Sequence, residues 1–147
     1  MSSVAEDNKN LVRRLYQEFW NEKDESIVDE LYAADFVDHI PGLPPELLTG
    51  PVGLKRNAAT MHTAFPDAHY TIDDILADGD KVVTRWTVQA THQGEMNGIP
   101  ATGKRVTVTA MTIDRITDGK VVESWTIFDA LGLMQQLGVV PSPGQGG

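Results

Sequence analysis

Residues 120–138 read KVVESWTIFDALGLMQQLG, from Lys120 to Gly138. The stretch changes its period half-way, and that change decides how the chain is read. As far as Phe128 the pattern is that of a strand, whose side chains point alternately to its two faces. Val121, Glu123, Trp125, Ile127 and Asp129 fall on one face, and Val122, Ser124, Thr126 and Phe128 on the other. From Leu131 to Leu137 the run is helical, and Gly138 supplies the stop. Asp129 closes the row of Trp125 and Ile127. If that row lines a cavity, Asp129 is poorly solvated, its pKa rises, and it becomes a proton acceptor near neutral pH. If the strand simply ends there, Asp129 caps the next helix. The residues alone leave both readings open.

The strand pattern extends backwards from this stretch. Asp118-Gly119 is a hairpin turn that joins it to Arg105–Thr117, a long run rich in Val and Thr. A glycine-rich connection, GEMNGIPATGK, leads back to Lys81–His92, with Val82, Trp86, Val88 and Ala90 on one side. Asp78-Gly79-Asp80 turns that strand into His69–Ala77. Before these four strands the period is helical. Ser2 or Ser3 caps a helix reaching about Asn21, with Leu11, Leu15 and Phe19 in one row and Val12, Tyr16 and Trp20 in another. A short helix follows Asp24. FVDHI, Phe36–Ile40, is extended and runs into a Pro-rich loop. Pro51 then opens a third helix, with Leu54, Ala58, Met61 and Phe65 on its apolar face, and Pro66 ends it. Helices before strands predict an α+β fold: three N-terminal helices packed on a curved, mainly antiparallel sheet that encloses a conical pocket.

A chain of 147 residues suits one domain. Residues 1–140 are expected to form it, with 141–147, PSPGQGG, as a flexible tail. A formal charge of −9 repels phosphate backbones, so nucleic acid is not an expected partner. No apolar run approaches the roughly 20 residues that span a bilayer. The N-terminus has no signal-peptide pattern, and there are no cysteines, which together favour a cytoplasmic location. His39, His62, His69 and His92 show no metal-binding spacing. No Rossmann or P-loop glycine pattern is present, so neither a metal nor a cofactor is expected.

Three further groups are candidates. His39, in its apolar piece, is placed to orient or protonate a substrate oxygen. Arg85 and Arg115 interrupt half-buried strands and are candidate contacts for an anion or a carbonyl. Asn57 is a polar residue close to Met61 on the third helix. Each also has a structural reading: a satisfied histidine, an edge or interface arginine, a surface asparagine.

THQGEMNGIPATGKRV, followed by DRITDGKVVESWTIFDALGLMQQLG, resembles the SnoaL-like polyketide cyclases of the nuclear-transport-factor-2-like superfamily. VRRLYQEFWNEKD, FVDHI and the third helix fit as well, so the resemblance covers almost the whole chain. It implies a cone-shaped α+β barrel, a homo-oligomer built through the sheet, and a small hydrophobic or aromatic substrate. It implies intramolecular aldol ring closure without a cofactor, with Asp129 as acid and base and His39 in the pocket. Phe19 and Asn57 would shape the ring-closure pocket, and Met61, Met111 and Trp125 would wall it. The chain departs from the family in carrying Arg115 where some cyclases place a pocket histidine. A cation there would hold Asp129 ionised or stabilise an enolate oxygen. Two alternatives stay open. One is an epoxide-hydrolase-like or hydroxylase enzyme, the former needing an Asp–Arg–Asp set such as Asp129, Arg85 or Arg115, and Asp114. The other is a small-ligand-binding or dimerisation domain without catalysis.

Overall fold

The computed structural model describes residues 3–141. Helix α1 (Val4–Arg14) starts at Ser3, whose hydroxyl accepts the Glu6 N–H at 3.1 Å. It continues without a break as a π-helical segment, Leu15–Asn21. The wider turn changes which side chains share a face. Leu15, Tyr16 and Trp20 reach the cavity, whereas Phe19 points into the solid core at 1% exposure. Helix α2 (Ser26–Leu31) leads into strand β1 (Tyr32–His39), and α3 (Gly50–Ala64) carries Pro51 in its first turn. Four strands follow: β2 (His69–Asp78), β3 (Lys81–Thr91), β4 (Arg105–Thr117) and β5 (Lys120–Phe128). Helix α4 (Ala130–Leu137) comes last. Tail residues 142–147 and the alternative cap Ser2 lie outside the described residues.

The sheet has five strands in the order β1-β5-β4-β3-β2. The fifth comes from the FVDHI piece: β1 is longer than expected and pairs parallel with β5, while all other pairs are antiparallel. β1 and β2 remain as edges, so the sheet is open rather than closed into a barrel. The helices cover one face of it. In the hairpin between β4 and β5, Asp118 (φ 53°) and Gly119 (φ 74°) both take the left-handed region that a two-residue primed turn needs.

One irregularity governs the rest. The register between β4 and β5 slips: Arg115 faces Glu123, but Ile116 faces Val121. The extra residue on β5 is a β-bulge, and it breaks the alternation read across residues 121–129. Val121 therefore points inward and is fully buried, and from Ser124 onward the inward residues are Ser124, Thr126 and Phe128. Glu123, Trp125 and Ile127 face out, the last at 64% exposure.

Candidate functional site

Between the helices and the inner face of the sheet lies a cavity of about 220 Å³. Tyr16 and Trp20 from the first helix, Asn57 and Met61 from α3, Tyr70 and Trp86 from β2 and β3, and Leu133 and Met134 from α4 form its largely apolar wall. Met96 and Asn97 of the long β3–β4 connection and Ile40 and Leu43 of the Pro-rich loop complete the lining. Among the described residues the lining contains no Lys, Arg or His, and Asp38 and Asp114 are its charged members.

These two aspartates come to one row by strand register. Asp114 of β4 faces Ser124 of β5, and Asp38 of β1 faces the same Ser124 from the other side. Asp114 is 4% exposed, and Ser124 donates its hydroxyl proton to Asp114 Oδ1. Asp38 is half-buried, and its Oδ1 is buried without a hydrogen-bond partner among the described residues. Burial penalises the charged form of a carboxylate and raises its pKa, and a second carboxylate nearby does the same. Loss of solvation lifts Asp114 to about 6, against the pull of the Ser124 hydrogen bond. Burial first, and then repulsion by Asp114, lifts Asp38 to about 7. Two carboxyl groups that exchange protons near neutrality therefore face an apolar cavity, the arrangement that acid–base catalysis needs.

The residues expected to act here are distributed otherwise. Asp129 is exposed, and its carboxylate accepts the Gly132 N–H at 2.8 Å as the N-cap of α4. It does not line the cavity, so the half-dry carboxylate expected at that position is corrected to a helix cap. His39 is one residue out of phase with Asp38 and lies on the outer face, where it stacks on Trp125 at 5.4 Å. Its Nε2 meets Glu123 Oε2 at 2.7 Å, and Arg115 donates to Glu123 Oε1 at 3.1 Å. His39, and then Arg115, hold the Glu123 carboxyl below its ordinary range. Arg115, Trp125 and Met111 are thus outer-face residues, not pocket walls, with Met111 51% exposed. Arg85 is also outside, paired with Asp74 at 2.8 Å. Phe19 is core. Asn57 and Met61 do line the cavity. Neither arginine approaches Asp114, so no Asp–Arg–Asp set assembles.

Asp38 and Asp114 were legible on the same principle that singled out Asp129. In residues 106–116, Val106, Val108, Ala110, Thr112, Asp114 and Ile116 share one apolar row, with a carboxylate in it. In FVDHI, Asp38 is in phase with Phe36 and His39 is not.

The model of the SnoaL-like polyketide cyclase family matches residues 10–137. The chain belongs to that family. Among curated relatives, the aklanonic acid methyl ester cyclase DnrD of Streptomyces peucetius is 28% identical over 136 residues, spanning 88% of this chain and 89% of that protein. Among solved structures, IdmH of Streptomyces antibioticus, a candidate polyketide cyclase, superposes with a TM-score of 0.79 at 34% identity, covering 89% of this chain and 98% of that one. AclR of Streptomyces galilaeus, a candidate hydroxylase, gives a TM-score of 0.82 at 30% identity over 94% and 85% of the two chains. This SnoaL-like chain thus shares its open, helix-covered sheet with proteins assigned different reactions, and fold alone does not choose among them.

Proposed function

We propose that the protein is a polyketide-cyclase-like enzyme that closes a ring by intramolecular aldol addition, with Asp38 and Asp114 as its acid–base pair. The observation that carries this reading is the row Asp38–Ser124–Asp114 facing a cavity in which no described lining residue is a cation. The substrate that suits this cavity is small, aromatic or polyketide-like, and uncharged. Asp38, with its unpartnered oxygen, takes a proton from a carbon beside a carbonyl. The C–H electron pair becomes the new C=C bond, and the carbonyl π pair moves onto oxygen to give an enolate. The enolate carbon then attacks a second carbonyl carbon of the same molecule, forming the C–C bond. The resulting alkoxide takes back the proton that Asp38 removed from carbon, which restores the Asp38 carboxylate, while Asp114, ionised at lower pH, keeps the Asp38 pKa high. A positioned base contributes about 10²–10⁴-fold, and apolar walls that fold the chain on itself contribute further through proximity. The ester-cyclase relatives support the reaction class.

The test is exchange of the α-proton of an aromatic β-keto ester, methyl tetralonecarboxylate, for deuterium, followed by NMR. The wild-type rate is expected to rise as pH increases through about 7, where Asp38 loses its proton. Asp38→Asn keeps the shape and removes the base, and its expected loss is about 10²-fold or more. Full exchange activity in Asp38→Asn refutes the role. Tight binding of the β-keto ester with no exchange by the wild type selects the non-catalytic binding domain instead.

A further inference from the structure

Two residues along the inner rows from Asp114 and Ser124, β4 and β5 place Thr112 opposite Thr126. Their hydroxyl oxygens are 3.0 Å apart, both residues are buried, and both line the cavity. Trp86 donates its indole N–H to Thr112 Oγ1 at 3.0 Å.

An indole N–H only donates, so it fills one lone pair of Thr112. The two threonines hold two protons, and only one of these fits between their oxygens. Either hydroxyl can be the donor of that pair; in the arrangement with Thr112 donating to Thr126, the other proton is on Thr126. Among the described residues Thr126 Oγ1 has Thr112 as its hydrogen-bond partner, which leaves that proton for the cavity. Donors linked in this way polarise one another, so the terminal hydroxyl donates more strongly than an isolated one.

The spacing fits one ketone. From the backbone of Thr126, that of Asp38 lies two residues along and one strand across, about 6.7 Å and about 4.8 Å, or about 8 Å on the diagonal, and the two side chains stand on the same inner face. A base oxygen sits about 3 Å from the carbon it deprotonates. The carbonyl oxygen is about 2.4 Å from that carbon, and an enolate donor is about 2.7–3.1 Å beyond the oxygen. Laid end to end these also make about 8 Å.

We infer that Thr126, backed by Thr112 and Trp86, is a further catalytic residue, donating a hydrogen bond to the substrate carbonyl oxygen and holding the enolate that forms there. Its ligand is an uncharged aromatic ketone or β-keto ester. The inference rests on the acid–base reading above. Thr126 transfers no proton: the α-proton goes to the carboxylate, and negative charge collects on the oxygen that the hydroxyl contacts.

Thr126→Val removes the hydroxyl at nearly constant volume, and Thr126→Ser keeps it. In the exchange assay Thr126→Val is expected to lose about 10²-fold in kcat with a small change in KM, and Thr126→Ser to stay within a few-fold of wild type. Loss in both variants, or loss in neither, overturns the inference. A second readout needs no turnover: naphthol, which offers a single aromatic hydroxyl oxygen, is titrated by its fluorescence. Thr126→Val is expected to bind naphthol about ten-fold more weakly than Thr126→Ser. If the wild type catalyses no exchange but this difference appears, the oxygen contact stands and the reaction assigned above falls. Equal naphthol affinity in the two variants removes the contact itself. Should Thr126→Val fail to fold, Thr126→Ala is compared with Thr126→Ser on the same two readouts.

Discussion

Replacing Asp114 by Asn should make the protein more stable, and only above a definite pH. Asp114 is 4% exposed, and burial lifts its carboxyl from an ordinary 3.8 to about 6. Below about pH 3 it is protonated in folded and unfolded chains alike. Between about 4 and 6 the folded chain keeps the proton while the unfolded chain has released it, so stability falls as pH rises through that window and levels off above it. The gap between about 6 and 3.8, at about 1.36 kcal/mol per pH unit, is on the order of 3 kcal/mol. Asn preserves the shape, can accept the Ser124 hydrogen bond through its carbonyl oxygen, and never ionises. Urea unfolding followed by tryptophan fluorescence reads the difference. At about 2 kcal/mol per molar urea, the midpoint of Asp114→Asn should exceed that of wild type by about 1.5 M near pH 8 and match it near pH 3. A variant equally or less stable near pH 8, or a gap that does not change with pH, would refute the claim that a charge is being held in a hostile cavity.

Two other substitutions bear on the account. Asp129→Ala removes the cap of α4 and should cost about 1 kcal/mol in urea unfolding while leaving α-proton exchange unchanged; a hundred-fold loss of exchange would return Asp129 to the chemistry. The outer sheet face exposes Met111, Ile113 and Ile127 beside Trp125, apolar surface that a second copy of the chain is expected to cover. Met111→Lys with Ile127→Lys should therefore reduce the mass in sedimentation to that of a monomer, and a wild type already monomeric at high concentration would dismiss that cover.

Much of the fold could be read from residue spacing because period and punctuation agree. The Asp118-Gly119 turn, Pro51 at the start of α3 and Gly138 in the left-handed conformation (φ 81°) each have one local cause, and each is found where that cause puts it. The site was less legible, for two physical reasons. Strict alternation across residues 121–129 ignores the bulge, which is set by pairing with β4 and leaves no local mark. The parallel pairing of β1 with β5, contacts between segments some ninety residues apart, is what brings Asp38 to the Ser124 row. Without it, His39 looks like the reactive member of FVDHI and Asp38 like a solvated neighbour. The expectation for Asp114 failed differently. Asp114 enters the sequence reading only as part of an arginine-containing set, and strand alternation puts Arg115 on the opposite face.

Everything proposed for the reaction depends on two cavity carboxyl groups that titrate near neutrality. Carbon-detected NMR of the side-chain carboxyls, with Asp38→Asn and Asp114→Asn used to assign the signals, measures this directly. Midpoints of about 7 for Asp38 and about 6 for Asp114 are expected. Midpoints below 5 for both, in the ordinary aspartate range of about 3.5 ± 1.2, would contradict the account.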